Sequence, residues 1–296
     1  MMHRTATQAR HPLDTARLLL QLMRFDRPLG AAALTLLGAW LAAPLPMRVS
    51  TLWSAPVLLA ACVVGLITAF GFVINDCCDL AVDTLGKPGR PLPSGRISHA
   101  VATHFAWSLA GAGLLLAVTL GRSATLFALG AIALSAAYSY RLKSTLLIGN
   151  AAVALLVGMV ILFGAVMAGG ATPVAFAAAV VVFCYFTAQE VLFNLEDEAQ
   201  DRAAGLRTTA TRLGAKGTAR LLRGLLLLFI AVALLPVGLG IAHGFYLAAV
   251  VALTLVPVLV MLRVLREPLG AAAVARAASL SRIVWLTSFV PLALLR

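Results

Sequence analysis

The sequence predicts an all-α polytopic membrane protein, on three observations. Of 296 residues, 61% are hydrophobic and 11% charged, with mean hydropathy +0.99; an ordinary soluble domain carries about 25% charged residues. Apolar runs of about 20 residues recur along the whole chain, the length a helix needs to cross a bilayer. The runs are continuous and do not alternate every second residue, which excludes a transmembrane β-barrel. No polar stretch is long enough to form a soluble domain beside a single anchor. A net charge of +12 would suggest nucleic acid in a soluble protein. Here it points to cationic loops facing anionic lipid and an anionic substrate, and no nucleic-acid partner is expected.

Nine spans follow in order: 28–47, 54–74, 98–119, 123–140, 146–168, 173–193, 221–242, 245–262 and 279–295. Their many small residues suit close helix packing in lipid. Residues 14–27 set apolar side chains between arginines, the pattern of an amphipathic helix lying on the membrane surface. Residues 1–27 are too polar for a signal-peptide core, so no cleavable leader is expected. The chain is therefore one domain over 1–296, with an interfacial N-terminal segment, 1–27, and a nine-helix membrane domain, 28–295.

Twenty of the 23 Lys and Arg residues fall on one side of this layout: the N-terminus and the loops after spans 2, 4, 6 and 8. Arg48, Arg122 and Arg296 are left for the other side. The positive-inside rule then places the N-terminus in the cytoplasm and the C-terminus outside. The ratio of 20 Arg to 3 Lys suggests a GC-rich genome and favours a bacterial inner membrane.

Eight of the 11 acidic residues fall in two clusters, each ending an even-numbered span. Asp76, Asp79 and Asp83 stand at i, i+3 and i+7, on one helical face. Asn194, Asp197 and Asp201 repeat the spacing after span 6, within a run from Glu190 through Glu196 and Glu198. Stacked carboxylates at a membrane boundary cost a few kcal/mol each, and a cation relieves them. An all-oxygen donor set with no His or Cys at metal-ligand spacing favours Mg²⁺, whose remaining positions take water or phosphate oxygens. Lys87, Arg90 and Arg96 follow the first cluster and Arg202, Arg207 and Arg212 the second; guanidinium groups suit bidentate phosphate contact. Cys62, Cys77, Cys78 and Cys184 are expected to be reduced small residues in or near helices.

N-D-C-C-D-L-A-V-D followed by R-P-L-P-S-G (Asn75 to Gly95) resembles the first aspartate-rich motif of UbiA-superfamily intramembrane prenyltransferases. Leu195 to Thr208 resembles the second, Tyr138 to Lys143 the Tyr-x-x-Lys element after span 4, and Leu22 to Gly30 the approach to span 1. The resemblance covers nearly the whole chain. It implies helices around a central cavity under a cytoplasmic cap, with Mg²⁺ as cofactor, and transfer of a prenyl chain from an isoprenoid diphosphate to a lipophilic aromatic or hydroxyl acceptor. Carried over by position, Asp76, Asp79, Asp83, Asp197 and Asp201 bind the metal, with Lys143 and Tyr140 also catalytic. Asn75, Arg90, Asn194, Arg207 and Arg24 hold the diphosphate. The chain departs from the family pattern at Gln189, Phe193 and Asn194, where many relatives carry arginine, lysine and aspartate.

The chemistry implied is rupture of an allylic C–O bond. Two Mg²⁺ ions and Lys143 would neutralise the leaving diphosphate, and an apolar cavity would keep water from the carbocation. Glu190, about one turn from Asn194 toward the membrane, is a candidate base. A terpene cyclase on the same scaffold would form the same cation and trap it within its own chain. A CDP-alcohol phosphotransferase lacks its DxxDGxxAR pattern here. A cation or lipid transporter should carry its acids near mid-membrane, whereas these stand at one face.

Overall fold

The computed structural model describes residues 12–266 and 269–295, and among them every regular element is helical. His3, His11, Arg4, Arg10 and Arg296 lie outside the described residues.

The amphipathic segment folds as α1 (Pro12–Met23). Its Leu18 and Leu22 are buried against the second half of α4 (Ala55–Cys78), while Leu20 is exposed, the one-sided burial expected of an interfacial helix. The chain turns at Arg24 and enters α2 (Asp26–Ala42). That helix stops short of the expected residue 47. Ala43 is extended before Pro44, the conformation a residue preceding proline prefers, and a 3₁₀ turn and the short α3 (Arg48–Leu52) follow.

After α4 come α5 (Leu80–Gly86), α6 (His99–Thr119), α7 (Arg122–Tyr140), α8 (Ile148–Met167), α9 (Pro173–Glu196), α10 (Glu198–Ala203) and α11 (Thr209–Gly238). The next span joins α12 (Gly244–Val250) to α13 (Val256–Val264) through a π turn at Val251–Leu255. Pro257, unable to donate to the preceding turn, accounts for the widening. The last joins α14 (Ala271–Thr287) to α15 (Phe289–Ala293). Among the described residues eight helical runs are long and apolar enough to cross a membrane. The 17-residue α2 is the ninth.

Two span starts lie well before the hydropathy pattern puts them. The seventh span begins at Thr209, not 221, because the Thr208 hydroxyl caps a first turn that breaks at Gly214 (φ +66°) before the helix continues. The ninth begins at Ala271, not 279, carrying Arg276 and Arg282 on the helix itself. Long cationic stems can lie along an apolar helix with their heads in the interface, so charge there does not end it.

Packing is closest where α2 meets α8. A Cβ on Gly38 would stand 1.9 Å from the Ile161 carbonyl oxygen, and one on Gly164 would stand 1.9 Å from that of Thr35. The helices touch backbone to backbone, as small residues permit in lipid. From this pair α4 extends one flank toward α6 and α7, and α9 extends the other toward α11 and α14.

Candidate active site

Both acidic rows are built by one local device. Asp79 ends α4 and starts α5 at φ −91°, ψ 6°; Asp197 ends α9 and starts α10 at φ −92°, ψ 4°. The backbone ladder still crosses each break, from Asp79 N to Asn75 O and Asp83 N to Asp79 O, then from Asp197 N to Phe193 O and Asp201 N to Asp197 O. The helical phase survives, and with it the alignment of each row.

The rows meet. Gly86 at the end of α5 packs on Gln200 of α10 so tightly that a Cβ would stand 2.1 Å from its side chain, and Lys87 Nζ lies 3.7 Å from Asp197 Oδ2. Cations from three other parts of the chain close on the same place. Arg24 Nη2 donates to Asp76 at 2.6 Å and stacks over Phe72. Arg90 Nη1 donates to Asp83 at 2.5 Å and to Asp76 at 3.5 Å. Lys143 donates to Asp79. Its loop is seated against α8 because Gly149 has no Cβ, which would stand 2.4 Å from the Leu142 carbonyl oxygen. The ends of spans 2, 4 and 6 and the start of span 1 therefore share one face, as the charge count requires.

Arg24 has φ +47°, a left-handed conformation that costs a non-glycine residue roughly 1–2 kcal/mol. Its ion pair with buried Asp76 holds it there. Asp76, Asp83 and Asp201 are all buried. Burial pushes the Asp201 carboxyl above the usual range; Lys143 and Thr208 oppose this, while Asp197 and Asp79 add to it.

Other residues take different places. Arg207 lies with Arg202, Thr211 and Arg212 in an open basic cleft of about 440 Å³. Arg212 there ties Ser144 O beside Lys143 to Arg207 O. Arg96 bonds Gly89 O and serves the loop. Tyr140, expected beside the reacting carbon, is 58% exposed. Tyr138, two residues earlier and so across the helix, is the tyrosine on which the charges of Glu190, Asp79 and Asp201 act. About 200° separates the two side chains on the helix.

On α9 the departures from the family pattern separate by face. Gln189 donates to Ser281 Oγ on α14 at 2.8 Å, and Phe193 lies under the Arg282 guanidinium. Asn194 turns the other way and accepts from Asn150 Nδ2 of α8 at 2.9 Å. Glu190 has no hydrogen-bond or ion-pair partner among the described residues. Asn75 carries a buried Nδ2 without a partner.

The donor chemistry fits Mg²⁺. The rows offer oxygens only, and among the described residues no three carboxylate, His or Cys side chains converge to cage an ion by themselves. A cation here must complete its shell with water or substrate oxygens, as Mg²⁺ does when held by one or two carboxylates and a phosphate.

The family model described as UbiA prenyltransferase family matches residues 31–288. A digeranylgeranylglyceryl phosphate synthase of Sulfolobus acidocaldarius is 32% identical over 82% of this chain and 86% of its own. One from Methanoregula boonei is 40% identical over 68% and 71%. Among solved structures, one from work on digeranylgeranylglyceryl phosphate synthase in membranes superposes with TM-score 0.72 at 23% identity, covering 95% of this chain and 98% of the other. A UbiA homologue from Archaeoglobus fulgidus bound to GPP and Mg²⁺ gives 0.68 at 19%, covering 93% and 99%.

Proposed function

The chain belongs to the UbiA prenyltransferase family, and on that footing we propose that it transfers a prenyl chain from an isoprenoid diphosphate to a hydroxyl of a lipophilic acceptor, with Mg²⁺. The observation that carries this is the convergence of two carboxylate rows with Arg24, Arg90 and Lys143 at one face of the bundle. Relatives named for a digeranylgeranylglyceryl phosphate product favour a hydroxyl, and an acceptor that itself bears phosphate, over an aromatic ring. The basic cleft of Arg202, Arg207 and Arg212 suits such a headgroup.

Asp76, Asp79 and Asp83 from one row and Asp197 and Asp201 from the other would hold the metal. Bound there, Mg²⁺ would neutralise charge gathering on the departing diphosphate. Arg24, Arg90 and Lys143, which hold the carboxylates of the ligand-free site, would turn to phosphate oxygens. The allylic C–O bond breaks with its electron pair on the diphosphate. The acceptor oxygen forms the new C–O bond, and its proton passes to Glu190, whose carboxylate no cation ties. Tyr138 borders the reacting carbon on the same side. We place this face in the cytoplasm on the distribution of Lys and Arg; an inner-membrane setting rests on the arginine-rich composition.

The test is mass analysis after incubating purified protein and Mg²⁺ with a panel of prenyl diphosphates, with and without glyceryl-phosphate ethers and aromatic acceptors. A prenylated hydroxyl acceptor and released diphosphate are expected. Cyclised hydrocarbon formed without acceptor would show a cyclase instead.

A further inference from the structure

We infer that Asn194 presents an amide N–H, and not an oxygen, to the bound diphosphate, so that the second row contributes Asp197 and Asp201 to the metal and a hydrogen-bond donor to the phosphate. The inference deepens the proposed function and rests on it.

The polarity of a buried hydrogen-bond chain fixes the amide. The backbone N–H of Leu147 can only donate, and it donates to Thr209 Oγ1 at 3.0 Å. Thr209 is fully buried, and its hydroxyl proton has one acceptor within reach among the described residues, Asn150 Oδ1 at 2.7 Å. With Oδ1 accepting, Asn150 must offer Nδ2, which lies 2.9 Å from Asn194 Oδ1. Reversing the Asn150 amide would leave a threonine hydroxyl without an acceptor in a site with no water access, a loss of about 1–3 kcal/mol. Asn194 Oδ1 is therefore committed inward. Its Nδ2 has no acceptor among the described residues, and the residue shares its helical face with Glu190, Asp197 and Asp201.

An N–H beside two carboxylates repels a cation and attracts an anionic oxygen. An aspartate at this position would accept the same bond from Asn150 and keep a second oxygen, with its charge, for the metal. In this chain that oxygen is replaced by a donor.

The test titrates purified full-length protein with inorganic pyrophosphate at Mg²⁺ concentrations up to saturation, and with Mg²⁺ alone, by calorimetry. N194D keeps the bond from Asn150 and so keeps the fold. It is expected to lower the Mg²⁺ concentration that pyrophosphate binding requires, because its free oxygen serves the metal. N194A, which removes the donor, is expected to weaken pyrophosphate binding about tenfold, the scale of losing a charge-assisted bond. Unchanged pyrophosphate binding by N194A, or an N194D variant whose Mg²⁺ requirement equals that of the wild type, would overturn the inference, because residue 194 would then not present a donor in place of a metal-ligating oxygen. If N194A fails to fold, N194D alone decides. No pyrophosphate binding by the wild type would overturn the diphosphate site itself, and this inference with it.

Discussion

Lys87 Nζ stands 3.7 Å from Asp197 Oδ2, a contact between the loop that follows the first acidic row and the residue that begins the second. With Gly86 on Gln200, it makes two distant segments one site. Lys87→Ala removes a bridge that is nearly half exposed on the Asp197 side and more than a third exposed on its own, where ion pairs contribute little to stability. The melting temperature is therefore expected to stay within about 2 °C. Loss of more would mean that the bridge holds the fold.

Arg24 is strained at φ +47° and bonded to Asp76. Arg24→Gly relieves the backbone while deleting the guanidinium. Stability should change little, while KM for the diphosphate should rise about tenfold or more, the worth of a charge-assisted bond. Steady-state kinetics beside a thermal melt separates the two. An unchanged KM would remove Arg24 from the substrate site.

At the α2–α8 crossing no side chain can yield, because Gly38 and Gly164 face backbone carbonyls. Gly164→Ala is expected to destabilise by about 1–3 kcal/mol, as overpacking does, and to lower the melting temperature in detergent. A stable, fully active G164A variant would show that the two helices do not pack as described.

Asp201 is held above its ordinary range mainly by burial. Its folded pKa exceeds its unfolded one, so its contribution favours folding at low pH and is lost as pH rises from the unfolded value through the folded one. Asp201→Asn should remove that loss, making the metal-free protein more stable at neutral pH while activity falls steeply. Melting curves against pH, with and without Mg²⁺, check both halves; a variant less stable than wild type at neutral pH without metal would contradict them.

The aspartate rows were legible because i, i+3, i+7 spacing is a local property, and the short helices after Asp79 and Asp197 keep the phase. Lys143 was legible from the motif spacing. The pairing of Arg24 with Asp76 was not, since it depends on a left-handed turn and on contact across 52 residues. Asn150 carries no sequence signal at all: a lone asparagine in an apolar helix shows its role only once Thr209 and Asn194 are beside it. Tyr138 and Tyr140 differ by rotation about α7, which packing against neighbouring helices decides. Hydropathy misplaced the start of the ninth span because Arg276 interrupts the apolar count without interrupting the helix.

The most direct test of a shared two-row site is turnover, measured as diphosphate release from a prenyl diphosphate and acceptor, for Asp76→Ala and Asp197→Ala separately, with and without EDTA. Each variant, at full folding, is expected to lose on the order of 10²-fold or more, the scale of losing one stabiliser of transition-state charge, and EDTA to abolish wild-type activity until Mg²⁺ is restored. Near-normal turnover in either variant, or activity indifferent to chelation, would contradict the account.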